Sequence, residues 1–156
     1  MERIHRTGCA VKKDDSRGFR YHEHTADITI ECWAATLEEA FEEAALAAFE
    51  VIVDTTTVEP RDRMTVAVEG IDLEELLVEW IGQLIAMIDL NNQFYSKFKV
   101  RSIVEGEPWR LEAEVWGETI DYQKHDIHTE VKAMTYADLK IERSPERTTL
   151  WFTLDL

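Results

Sequence analysis

Residues 64–88 read MTVAVEGIDLEELLVEWIGQLIAMI and carry the clearest local signal in the chain. Met64 to Val68 is a short alternating run that stops at Gly70, the pattern of a strand ending in a turn. Asp72 then stands three residues before Glu75, a side-chain acceptor placed to cap the free N–H groups of a helix start. From there Leu73, Leu76, Leu77, Trp80, Ile81, Leu84 and Ile88 recur at steps of three and four and fall on one helical face. At about 1.5–3 kcal/mol per buried large side chain, that face contributes of order 10–20 kcal/mol gross. The spacing predicts the central core helix, with Trp80 a packing residue rather than a ligand platform.

The same logic extends outward in both directions. Upstream, Ile28, Ile30 and Cys32 alternate with Thr29, Glu31 and Trp33, as in a half-buried strand. Thr36 with Glu39 forms a capping box, and Leu37, Phe41, Ala44, Ala48 and Val51 give the helix behind it one apolar stripe. Downstream, Phe98–Val104 and Trp109–Trp116 read as a hairpin around Gly106, Glu107 and Pro108. Residues 117–130 are irregular and polar. Val131–Glu142 and Thr148–Leu156 read as a second hairpin around Ser144, Pro145 and Glu146. The expected fold is α+β: a single compact domain over residues 19–156, two amphipathic helices packed on about six mostly antiparallel strands. Residues 1–18 lack periodicity and are expected to form a flexible leader.

Composition narrows the function. The chain has 156 residues, the size of one domain, and 45% of them are hydrophobic. No apolar run approaches the roughly 20 residues of a membrane span, and no signal peptide is evident, so a cytoplasmic location is expected. Acidic residues outnumber basic ones 32 to 17, a net charge of −15. Residues 1–20 hold six basic and three acidic side chains, net +3, which leaves the remainder at −18. Such a surface repels phosphate backbones, so direct nucleic-acid binding is disfavoured and a basic protein partner or a cation suits the field. Cys9 and Cys32 make neither a disulfide framework nor a CxxC metal pattern, and Cys32 reads as a buried structural residue.

No Walker loop, GxGxxG, GxSxG or HExxH is present. Three segments retain chemical potential. His24 and Asp27 place an imidazole and a carboxylate at the start of a strand, where a cation could sit or backbone hydrogen bonds could satisfy both. At the other end, Leu150, Phe152 and Leu154 share a strand face that anchors the terminus in the core. The carboxylate of Leu156 beside Asp155 would then suit a hard divalent cation, and the competing reading is a solvated acidic end. The third segment holds Asp121, His125 and His128 ahead of a strand that opens Glu130-Val131-Lys132. The two histidines, three residues apart, could ligate a metal only on a helical turn, and an exposed loop is expected instead.

Together these segments resemble the archease family: His-Thr-Ala-Asp at 24–27, Gly-Glu-x-x-Asp-x-x-x-His at 117–125, Glu-Val-Lys-Ala-x-Thr-Tyr at 130–136 and the Asp-Leu terminus, with the capped helix at Thr36. The resemblance covers residues 19–156. The chain departs from it at Ala137, where many relatives carry His after the Thr-Tyr pair, and in its 1–18 leader. It implies a non-enzymatic activator of the RtcB-type tRNA-splicing RNA ligase. Such an activator promotes guanylylation of the ligase and multiple turnover, and broadens its NTP use. GTP is then consumed by the partner rather than bound here. The resemblance also implies a divalent-cation site at Asp27, Asp155 and Leu156, filled by Ca²⁺ above Mg²⁺ or Mn²⁺. His24, Asp121, His125 and Lys132 are possible supporting residues. Two rival readings are a metal-dependent phosphoester hydrolase using Asp27, His24 and Asp155, and a chaperone-like adaptor for RNA-processing enzymes. The first lacks a convincing catalytic base.

Overall fold

The computed structural model describes residues 15–156, so most of the expected leader lies outside the described residues. Two helices and seven strands follow in the order β1 (Gly18–Glu23), β2 (Asp27–Ala34), α1 (Leu37–Ile52), β3 (Asp62–Gly70), α2 (Leu73–Asn91), β4 (Gln93–Val104), β5 (Trp109–Thr119), β6 (Ala133–Arg143) and β7 (Thr148–Asp155). The strands form a four-stranded sheet ordered β1-β2-β7-β6 and a three-stranded sheet ordered β3-β5-β4. Every strand pair in both sheets is antiparallel. The α+β reading holds, with two sheets rather than one set of strands.

Both helices start where the local sequence says they should. The Thr36 hydroxyl accepts the Glu39 N–H at 3.2 Å, and the Asp72 carboxylate accepts the Glu75 N–H at 2.8 Å. Glu75 reaches back to the Ile71 N–H at 2.9 Å, which closes a reciprocal capping box. The helix α2 ends at Asn92, whose left-handed conformation (φ 53°) lets its N–H bond back to Ile88.

Their roles are the reverse of the expected ones. Helix α1 is buried on almost every face, including Glu42, Glu43 and Glu50, because it packs against β2 and β7 of one sheet and β4 of the other. Its five alanines leave room for that close approach, and Phe41 and Phe49 fill the space between them. Helix α2 buries the predicted stripe from Leu73 to Leu84, with Trp80 fully enclosed, while Ile88 is half-buried and Met87 is the buried residue at that end; the opposite face is open. The Trp80 indole N–H donates to the Phe41 carbonyl at 2.9 Å, which satisfies the polar end of a core side chain and locks α2 onto α1. Cys32 is fully buried, its thiol 3.7 Å from the Ala40 carbonyl, and burial pushes its pKa well up.

One strand escaped the sequence reading. Phe19 and Tyr21 are buried and alternate with Arg20 and His22, and they form β1 as a hairpin partner of β2. The fold also takes in residues assigned to the leader. Gly18 opens β1, and the Arg17 guanidinium bonds Glu43 at 2.6 Å and lies 3.4 Å from Glu42 on α1.

Candidate functional site

The β1–β2 turn and the last strand build the acidic site. Residues 24–26 make a tight turn in which the His24 N–H donates to the Asp27 carbonyl at 3.0 Å. That bond sets Asp27 as the first residue of β2. β2 then pairs with β7 without a register break, which places Asp27 directly opposite Asp155. On its other side Asp155 faces Ala133 of β6, and its carbonyl accepts the Lys132 N–H at 2.8 Å. The Leu156 N–H donates to Ala26 at 3.1 Å, so the ladder holds the chain one residue past the strand. Leu150, Phe152 and Leu154 are fully buried beneath it, the anchoring expected from their alternation.

Like charges directly opposite on adjacent strands destabilise a sheet. Here Asp27 and Asp155 are both half-buried, and Asp27 Oδ1 is enclosed without a hydrogen-bond partner. A carboxylate oxygen withdrawn from water and left unbonded costs free energy. Among the described residues no group of three or more His, Cys, Asp or Glu side chains converges as a metal cage. The donors on hand are two carboxylates and the chain beyond Asp155, all oxygen. His24 contributes its backbone to the turn, while its side chain is exposed.

Asp121 and His125 belong to a different constellation: the loop that holds them is largely exposed, as the sequence suggests, with Asp121 to Lys124 in solvent, but His125 turns inward and is buried. β5 runs on through Gly117 and Glu118, and the Glu118 carboxylate is buried at its end. His125 Nε2 lies 2.8 Å from Glu118 Oε2, and His125 Nδ1 accepts the Asp121 N–H at 3.0 Å. With Nδ1 accepting, Nε2 carries the proton and donates to Glu118. Glu118 also accepts the Glu59 N–H at 2.9 Å and the Lys124 ammonium at 2.9 Å. Burial alone would push its pKa up, but His125, the Glu59 amide and Lys124 outweigh that and hold it at about 2. Gly117 is required beside it: a Cβ there would sit 1.8 Å from the Phe94 carbonyl oxygen.

The following residues tie the same loop to the end of α1. Ile127 bridges Val53, and the His128 and Thr129 N–H groups both donate to the Ile52 carbonyl. The His128 Nδ1–H donates to the Glu50 carbonyl at 2.8 Å. These bonds supply donors to the carbonyls that α1, with no basic residue in its last turn, leaves open. The segment spanning 117–129 is a polar staple. The sequence offered one clue to it, a Gly-Glu pair followed at short range by Asp and His.

The archease protein family model matches residues 19–156. The chain belongs to this family. The archease of Sulfurisphaera tokodaii is 44% identical over 138 residues, covering 88% of this chain and 98% of its own. That of Aeropyrum pernix is 43% identical over 140 residues, covering 89% and 97%. Among solved structures, protein 1598 of Methanobacterium thermoautotrophicum superposes with a TM-score of 0.76 at 33% identity, over 88% of this chain and 98% of that one. An archease of Thermotoga maritima, described as a possible chaperone, gives 0.55 at 23% identity over 86% and 94%, a likeness of fold.

Within the family motifs, Lys132 is exposed and enters the site through its main chain. Ala137 lies on the exposed outer edge of the four-stranded sheet, where β6 departs from its register with β7 between Thr135 and Lys140. Its N–H donates to the Thr135 hydroxyl at 2.8 Å, and the adjacent Asp138 takes a left-handed conformation (φ 59°).

Proposed function

We propose that this archease is a non-catalytic protein cofactor of an RtcB-type tRNA-splicing RNA ligase in the cytoplasm, and that it acts through a divalent cation held at Asp27, Asp155 and the carboxylate of Leu156. The observation that carries the reading is the opposed carboxylate pair with its enclosed, unbonded Asp27 oxygen. An all-oxygen donor set suits Ca²⁺, with Mg²⁺ or Mn²⁺ as alternatives. When bound, the cation supplies the positive charge that the facing carboxylates lack. Asp27 and Asp155 hold it, the His24–Asp27 turn fixes one carboxylate, and the bond from Lys132 to the Asp155 carbonyl fixes the other strand.

The protein-wide field supports the partner class. A ligase that grips RNA carries a basic surface, and the net −18 of residues 21–156 is complementary to it. In this reading the archease promotes guanylylation of the ligase, restores multiple turnover and broadens NTP use, while the ligase itself consumes GTP. Other classes compete only weakly: an exposed His24 is poorly placed to be the buried, tuned base that hydrolysis would need.

The test is ligation turnover by the cognate ligase with GTP and Mn²⁺, with and without this protein. Product beyond one equivalent of ligase only in its presence is the expected result. Asp27→Ala and Asp155→Ala should abolish that stimulation while still melting cooperatively. A tag fused after Leu156 should cripple it, and one fused at residue 1 should not. Normal stimulation by both aspartate variants would remove the cation from the mechanism, and no stimulation by the wild type would remove the ligase.

A further inference from the structure

Gly82 is an anomaly in α2. It lies in the middle of a 19-residue helix, where glycine costs roughly 0.5–1 kcal/mol relative to alanine. Packing inside this chain does not demand it, because a Cβ at position 82 would meet nothing within 4 Å. Nor does backbone conformation, since Gly82 is not among the residues with positive φ. The missing side chain opens a groove of about 510 Å³ between α2 and the start of β6. Its floor is apolar and made of Val78, Gly82, Ile85, Ala86 and Met134. Its rim is charged, with Glu79, Asp89 and Glu130 against the single cation Lys132. At the α2 N-terminal side Tyr136 is exposed, and the charges of Glu75, Asp72 and Glu79 all raise its pKa after burial does, so the acidic rim continues there.

The groove is continuous with the acidic site. Lys132 and Ala133 line its wall, and the same two residues flank Asp155, one by a main-chain bond and the other as its β6 register partner. We infer that this groove is the docking surface for the protein partner, and that it receives a segment bearing Lys or Arg beside apolar side chains. The occupant follows from the lining. A small apolar floor admits a side chain or a close backbone, and three carboxylates against one lysine select a basic flank. A segment seated there lies at the end of the β6–β7 pair that carries Asp155, so docking and the cation site would act on one region of the partner. This deepens the ligase reading and rests on it.

The experiment measures the affinity of the ligase for wild-type archease and for Gly82→Leu by titration, with thermal melting of each. Leucine fills open space and favours helix, so Gly82→Leu should melt at or above the wild-type temperature while its affinity falls at least tenfold. Glu79→Lys combined with Glu130→Lys should lower affinity similarly at 50 mM salt and by less at 300 mM, as screening removes the rim attraction. Tyr122→Ala, at an exposed residue outside the groove, should bind as the wild type does. Wild-type affinity in Gly82→Leu would overturn the groove while leaving the activator reading intact, and equal loss in Tyr122→Ala would overturn it as well. A wild-type protein that neither binds nor stimulates the ligase would overturn both together.

Discussion

Replacing Asp155 by asparagine tests the cation site without any partner, and its effect has opposite signs with and without metal. Asp27 and Asp155 are direct cross-strand neighbours, so their Cβ atoms lie about 4.5–5.5 Å apart. Two unit charges at about 5 Å repel by about 3 kcal/mol at an effective dielectric of 20. Both residues are only half-buried, and solvent screening reduces that to about 1 kcal/mol. In EDTA, Asp155→Asn should therefore melt about 2–4 °C above the wild type. A cation at 100 times its Kd adds about 2.7 kcal/mol to a protein that binds it only when folded, a rise of about 5–11 °C at this chain length. The wild type should show that rise with Ca²⁺ and Asp155→Asn should lose most of it, so the order of the two melting temperatures inverts. Differential scanning calorimetry in EDTA and in a Ca²⁺ series reads both effects. Superimposable wild-type melts from EDTA to 10 mM Ca²⁺ would refute the site, and an equal Ca²⁺ rise in Asp155→Asn would refute the role of this carboxylate.

The polar staple should be the part of the fold most sensitive to acid. The Glu118 pKa is held at about 2, below its ordinary 4.5, so its stabilisation is complete above about 4.5 and is lost as pH falls toward 2. Glu118→Gln should cost about 1.5–3 kcal/mol at pH 6 and flatten the fall of melting temperature between pH 4.5 and 2; an unchanged slope would show that another group sets it. Gly117→Ala drives a Cβ into the Phe94 carbonyl and should cost about 3 kcal/mol or more, read as a lowered denaturant midpoint. Trp80→Phe leaves the Phe41 carbonyl without its indole donor and the core short of volume, and a loss of about 1–3 kcal/mol in urea unfolding is expected.

What the sequence could and could not disclose follows from the range of each interaction. The caps at Thr36 and Asp72 act over three residues, so the spelling of the segment is enough to place both helices. The rank of the two helices is a tertiary property. Helix α2 has the stronger stripe of large side chains, yet α1 occupies the centre because alanines permit approach from two sheets at once. A count of bulky residues therefore points to the wrong one. β1 was hidden for a related reason: only Phe19 and Tyr21 mark its buried face, and Arg20, His22 and Glu23 give the stretch a polar composition. The loop after β5 is exposed as its composition suggests, but it hides one buried pair, since Glu118 and His125 look solvated in one dimension and satisfy each other in three.

The acidic pair lies at the far limit of legibility. Asp27 and Asp155 sit at opposite ends of the domain, and β2–β7 pairing alone makes them neighbours. Nothing in the spacing of either could join them; the family resemblance could, because it carries a memory of the folded arrangement. The pairing also explains why the fold tolerates the repulsion. β2 and β7 are the two inner strands of their sheet, with Ile28, Ile30, Phe152 and Leu154 buried beside the carboxylates. Each large apolar side chain there contributes about 1.5–3 kcal/mol, several times the repulsion at the strand ends. A core of that strength can hold two carboxylates face to face in advance of a ligand, and a site held open in this way gives up less conformational entropy on binding.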